Sequence, residues 1–261
     1  VTPSREAQIR DTFDQLDRWQ QQMQVVFVPE PGSELAGDDA DWPWLPVTQS
    51  ALTGMGAARD HLQAVRVHIE AGELFPFAHQ TLTRTAILAA AQAVWVLAPD
   101  ERGERCKRAR TFAAESYAKH LAFLRDLRAL TPDTRHGTET VLQHTQRRLA
   151  ELTALRAADG QATAVLGATD VIYHAVLATW GSRELAVEAR SEWRRGSGAA
   201  HGLPWSLLGR QGTAQAAAAD AAGMAEFSAG GSVGGLANSY LCAYGLLVHA
   251  FRLLDRRGAR D

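Results

Sequence analysis

Val233-Gly-Gly-Leu-Ala-Asn-Ser-Tyr-Leu-Cys-Ala-Tyr-Gly-Leu-Leu-Val-His-Ala-Phe-Arg-Leu-Leu254 is the stretch on which the fold class turns. Its length alone would suffice for a membrane span, which takes about 20 apolar residues. It carries Asn238, Ser239, Tyr240, Tyr244, His249 and Arg252, polar groups that hydrocarbon does not solvate. Val233, Leu236, Ala237, Tyr240, Leu241, Tyr244, Leu247, Val248, Phe251 and Leu254 recur at helical spacing. The reading is therefore a buried, closing helix of a bundle, and no membrane partner.

The chain has 261 residues, 46% of them hydrophobic and 21% charged, enough to bury a substantial core. A net charge of −2 excludes a generally basic, phosphate-coating surface, so any nucleic-acid role must rest on a local arginine cluster. Cys106 and Cys242 sit in apolar helical patterns and read as buried free thiols, with no disulfide framework. Val1-Thr-Pro-Ser-Arg-Glu6 lacks a basic region followed by an apolar run, so the expectation is no secretory signal and a cytoplasmic location.

Outward from the closing helix, strand signals are nearly absent. Val25-Val-Phe-Val28 is short and is stopped by Pro29 and Pro31. The expected fold is all-α, an antiparallel multi-helix bundle of about eight or nine helices. Residues 1–46 supply one N-terminal helix, from about Ser4 to Gln24, and a Pro/Gly/acidic loop; residues 47–261 supply the bundle, and the whole forms one domain. Helices are predicted near 47–72, 77–98, 134–158 and from Asp170 to Trp180, with Gly181 breaking the last. Between Asp100 and Thr131-Pro132 a further helix carries Glu101/Arg105, Glu104/Arg108 and Glu115/Lys119, all in the favourable acid-first order. An alanine-rich segment at 213–228 reads as strong helix formers.

Several groups could carry chemistry but lack the pattern it needs. Asp38-Asp39-Ala40-Asp41 could hold a divalent cation, and through it a diphosphate as in isoprenoid-processing enzymes, yet its place between Pro31 and Pro43 reads as a solvated acidic loop. His61 and His68 are two helical turns apart, too far for a shared metal unless a second helix intervenes. His120, His136 and His144 have no ligand-like spacing, and Gly230-Gly-Ser-Val-Gly-Gly235 lacks the lysine and the preceding strand of a phosphate loop. No metal and no cofactor is expected.

Trp193-Arg-Arg-Gly-Ser-Gly-Ala-Ala-His-Gly202 is different. Ser182 caps the helix that bears it, and Gly202 and Pro204 end that helix. At about 100° per residue, Arg190, Arg194, Ser197 and His201 project along one line that could hold a phosphate, whereas Arg195 lies about 240° from His201. Gly196, Ser197, Gly198, Ala199 and Ala200 admit a second reading, a seam of small residues where another backbone approaches; His201 is then a helix-terminal imidazole suited to the negative end of the dipole.

The pattern Trp193-Arg194-x-x-Ser197-x-x-x-His201 resembles the arginine-to-histidine motif of the HEPN superfamily of helical nucleases. It is also similar to the Tyr-Arg-x-Leu-Ser-x-x-x-His signature of HEPN-like families of unknown function, with Trp193 for tyrosine and Gly196 for leucine. Thr83-Arg84-x-Ala86-x-Leu88 through Trp95-x-Leu97, followed by Glu101-Arg102-x-Glu104-Arg105, looks like the helix pair preceding that motif, so the resemblance extends over about 47–254. It implies a homodimeric bundle whose arginine–histidine helices face each other and cleave RNA without metal. His201 would be the general base or acid, Arg194 would hold the scissile phosphate with Ser197 as a helper donor, and Arg190 and Arg195 would position the flanking backbone. A toxin or defence role and a neutralising protein partner are the corresponding expectations. The competing reading is a non-catalytic bundle serving as a partner-binding, dimerisation or small-ligand-binding module.

Overall fold

Serine side chains open several helices, each accepting a hydrogen bond from a backbone N–H three residues on. Ser4 Oγ accepts from Ala7 at 3.1 Å, Ser33 Oγ from Ala36 at 3.3 Å and Ser182 Oγ from Leu185 at 3.2 Å. The computed structural model describes residues 3–130, 135–161 and 165–260, and the fold is an all-α multi-helix bundle. The elements are α1 (Arg5–Arg10), α2 (Phe13–Gln22), α3 (Glu34–Asp39), α4 (Val47–Ala71), α5 (Ala78–Leu97), α6 (Arg102–Leu130), α7 (Arg135–Ala158), α8 (Ala168–Trp180), α9 (Arg183–Ala200) and α10 (Val233–Gly258), with a 3-10 turn at Pro204–Leu207. The expected stop at Thr131-Pro132 and the side chain of His136 lie outside the described residues.

Three local expectations are corrected. The single N-terminal helix is two, broken at Thr12, whose hydroxyl donates to the Ile9 carbonyl at 2.6 Å and meets the Tyr240 hydroxyl at 2.9 Å. That local bond competes with the helix ladder. Ser33 starts the short α3 inside what read as loop. The alanine-rich segment forms an antiparallel hairpin, β1 (Thr213–Gln215) and β2 (Phe227–Ala229), pairing Thr213 with Ala229 and Gln215 with Phe227. Asp220 Oδ1 accepts from the N–H groups of Ala222 and Met224, and Gly223 sits at φ +80°, a turn that overrides helix propensity over so short a run. Val25–Val28, the short run stopped by Pro29 and Pro31, forms no strand.

The chain divides into two compact units. One comprises residues 1–28, 51–95 and 168–256. Its core gathers Leu16, Met55, Leu62, Ile87, Ile172, Leu236 and Tyr240, all fully buried, and Trp19 stacks on Phe251 with ring centroids 4.8 Å apart. Of the expected stripe of the closing helix, Leu236, Ala237, Tyr240, Leu247, Phe251 and Leu254 are buried, while Val233, Leu241, Tyr244 and Val248 are half-buried, and Ala243, Leu246, Ala250 and Leu253 are buried beside them. Among the described residues no helix is long and apolar enough to cross a membrane.

The other unit comprises residues 29–50, 96–167 and 257–261. Trp42, Ala113, Ala114 and Leu152 form its core, extended by Leu121, Leu124 and Leu142. Here the solvated acidic loop expected at Asp38–Asp41 is instead an ionic framework. Asp38 is fully buried and accepts from Arg105 Nε at 2.5 Å and Nη2 at 3.2 Å; Asp41 accepts from Arg110 Nε and Nη2, each at 2.8 Å. Asp39 caps α4 by accepting from the Thr48 N–H at 2.8 Å. Arg105 thereby leaves Glu101, its expected helical partner, while Glu104–Arg108 and Glu115–Lys119 pair as their spacing predicts. Cys106 is a buried free thiol, pushed up to about 11 by burial and the nearby aspartates.

Candidate functional site

α9 has a defined start and stop. Beyond His201, Gly202 adopts φ +67°; its N–H donates to the Ala199 carbonyl and the Leu203 N–H to the Gly198 carbonyl, a Schellman ending that only a residue tolerant of positive φ permits at low cost. The helix is therefore regular through the expected motif, and His201 is its C-cap.

Arg194 and His201 are exposed, and neither side chain makes a hydrogen bond or ion pair within the described chain. Ser197, between them on the same line, is half-buried. The other two arginines are engaged differently. Arg190 lies over the Tyr173 ring, 4.6 Å from its centroid, with a buried Nε that has no partner. Arg195 faces Glu192 at 3.5 Å, off the line, as the helical angle requires.

The small residues of the motif are where neighbours approach. A Cβ on Gly196 would stand 2.6 Å from Arg84 Cβ and 2.7 Å from the Gln80 carbonyl of α5; one on Gly198 would stand 2.6 Å from the Trp205 ring. The seam reading thus accounts for both glycines, while Arg194 and His201 face away from it. Arg84 continues from this crossing to lie 5.2 Å from the centre of the Trp193 ring, and the Arg84 Nε and Trp193 Nε1 are further buried donors without partners.

Other parts of the same unit carry groups that the sequence pattern did not single out. A cleft of about 250 Å³ runs along α9, lined by Trp180, Leu185, Glu188, Glu192, Leu241 and Cys242. Glu188 accepts from Asn238 Nδ2 at 3.2 Å, and burial, with the charges of Glu188 and Glu192 adding to it, pushes the Cys242 thiol up to about 12. The second is Arg210, which follows the 3-10 turn and is 8% exposed. Nη1 donates to the Pro76 carbonyl at 3.3 Å, whereas Nε and Nη2 are buried without partners. Burial, together with the charge of Arg195, pushes the guanidinium down to about 10 against the pull of Glu192. Neither feature has a local signature, because each is assembled from separate helices and turns.

α5 supplies the second helix that the His61/His68 spacing left open: His68 Nδ1 lies 3.1 Å from His79 Nε2, and His79 Nδ1 accepts from the Phe75 N–H at 3.0 Å. Burial, with the nearby His68, holds His79 below the usual imidazole range. His61 instead meets the Ala57 carbonyl of its own helix. Among the described residues no group of three or more His, Cys, Asp or Glu could hold a metal ion.

No protein-family model, characterised protein or solved structure is significantly similar to this chain.

Proposed function

We propose that the chain is a HEPN-like, metal-independent endoribonuclease acting as a homodimer, with α9 as its RNA-contacting element. The observation that carries this reading is the exposed, unpaired Arg194 and His201 on one line of a regular helix. His201 would take the proton of a ribose 2′-hydroxyl as its oxygen attacks phosphorus, and the imidazolium so formed would return a proton to the 5′-oxygen as the P–O5′ bond breaks; Arg194 would offset the charge on the phosphate. Ser197 would donate beside it, and Arg190 and Arg195 would steady the flanking backbone.

Along one helix Arg194 and His201 are about 10 Å apart, and a long helical side chain leans toward its N-terminus, so Arg194 leans away from His201. An antiparallel α9 from a second copy would set Arg194 of the partner subunit beside His201, which is why the reading includes a dimer. The test is cleavage of a mixed RNA pool in excess chelator. Arg194→Ala and His201→Ala each lower cleavage at least 100-fold, and mixing the two inactive variants restores part of it, because a mixed dimer regains one composite site. Intact RNA after incubation with the wild-type protein, or equal cutting by both variants, ends the catalytic assignment. A toxin or defence role, with a neutralising protein over α9, belongs to the same reading.

A second reading, a small-ligand-binding helical module, draws on the 250 Å³ cleft beside α9. It predicts that Glu192→Gln alters ligand retention while Arg194→Ala does not.

A further inference from the structure

α8 ends on Trp180, and Gly181, at φ +68°, turns the chain into α9. The six-membered ring of Trp180 comes to rest on α10 at Gly245, where an added Cβ would stand 2.6 Å from its Cζ2. That contact fixes the ring while 42% of the residue stays exposed. Leu185, itself 44% exposed, and the half-buried Leu241 and Cys242 complete an apolar wall along the cleft of about 250 Å³. The volume sets the size of an occupant. An apolar cavity of about 150 Å³ accepts benzene, so this cleft has room for one ring and a short arm.

The charged groups set its sign. Glu188 and Glu192 are one turn apart on α9 and project from the same side of the helix. Asn238 occupies Oε1 of the exposed Glu188, and a carboxylate with its several lone pairs can take further donors. Glu192 is 13% exposed in its side chain. Arg195 Nη1 stands 3.5 Å from its Oε1, an ion-pair distance without a hydrogen bond, and its charge also reaches Arg210. Neither of those arginines lines the cleft. Among the described residues that do, Arg5 is the only cation, and its Nη1 donates to Gln8 Oε1 in its own helix. Two carboxylates thus face one guanidinium. Both also act on the Cys242 thiol, adding to burial in raising it, so their field extends across the apolar wall.

We infer that this cleft binds a small organic ammonium ion, a primary amine carried on an apolar body about the size of one aromatic ring. The body packs against Trp180, Leu185 and Leu241, and the ammonium donates to Glu192 and Glu188. An acid of the same size meets two like charges there. The inference rests on the ligand-binding reading of the cleft and is independent of whether α9 cleaves RNA, because neither Arg194 nor His201 lines it.

The experiment is an amide-shift titration of the ¹⁵N-labelled full chain, near neutral pH, with 2-phenylethylamine, 2-phenylethanol and phenylacetate, which share a ring and a short arm and differ in its charge. The amine shifts α9 and α10 amides around the cleft saturably and binds about tenfold more tightly than the alcohol; phenylacetate binds more weakly than either. Glu192→Gln lowers amine affinity about tenfold and the more exposed Glu188→Gln about threefold, and both leave the alcohol unaffected. Trp180→Ala weakens amine and alcohol alike. Equal affinity for amine and alcohol, or unchanged amine affinity in both glutamine variants, overturns the proposal while the ligand-binding reading stands. No saturable shift with any of the three probes overturns both. If a glutamine variant does not fold, the wild type decides: the preference for amine over alcohol shrinks as salt is raised, and a preference indifferent to salt overturns the proposal.

Discussion

Arg105 and Arg210 are both buried arginines, and only one has a carboxylate hydrogen-bonded to it in its own chain. Arg105 sits in the unit built around α3, α6 and α7, locked to Asp38. Arg210 sits in the unit that holds α9 and α10, tied by one nitrogen to a carbonyl. A guanidinium cannot escape burial by losing its proton at physiological pH, so its cost must be met by a partner or carried by the rest of the fold. The first unit resolves this at Arg105 and Arg110, which marks those ion pairs as structural, although it too buries donors without a hydrogen-bond partner at Trp42 Nε1 and Arg148 Nε. In the second, donors are left unanswered at Arg84, Arg190, Trp193 and Arg210.

Asp38→Ala breaks the comparison most directly, because it places Arg105 in the condition of Arg210. The expected cost is about 3–5 kcal/mol in chemical denaturation, since the substitution strands a buried charge. A loss below about 1 kcal/mol would mean that the carbonyls of Pro99 and Asp100, both bonded to Arg105 Nη1, together with Glu34 at 3.8 Å from that nitrogen, already suffice.

Gly196→Ala probes the seam that holds α9 on α5, next to the unpaired donors. The added methyl meets Arg84 Cβ and the Gln80 carbonyl, so a loss of about 1–3 kcal/mol is expected, with reduced protection of α9 amides in hydrogen exchange. Unchanged stability would show that the crossing relaxes freely.

The smallest effect is a pH dependence. His79 is held neutral by burial, with His68 adding to the effect, so protons bind more readily to the unfolded chain than to the folded one. Stability is fully present above the ordinary imidazole value of 6.5 and declines as pH falls through that value toward the lower folded one. A midpoint that falls between pH 7.5 and 5.5, and falls less in His79→Gln, is the expected outcome. An identical slope in the variant would place the titration elsewhere, at His249 for example, which burial also lowers.

Legibility followed distance along the chain. The ends of α9 were readable because Ser182 and Gly202 act on N–H and C=O groups within one turn. Glu104–Arg108 and Glu115–Lys119 were readable for the same reason, as were the buried stripe of α10 and the bundle class. Asp38 and Asp41 were misread as solvated because their arginines lie on α6, more than sixty residues away. The alanine run from 217 was misread because propensity decides little in a segment too short to nucleate alone, and Asp220 supplied a turn. At α9 both the polar line and the seam of small residues were visible, but which neighbours fill the seam was not.

The sequence by itself determined most of the long helices, the caps of α9, and the line that carries Arg194, Ser197 and His201, since all of these depend on periodicity and on groups within a few residues. Only tertiary structure decided which charges are paired. It gave Asp38 to Arg105 and Asp41 to Arg110, seated Gly196 on α5, and left Arg210 without a hydrogen-bonded carboxylate. The reason is that the cost of burying a charge depends on which distant atoms surround it, and no local pattern records them.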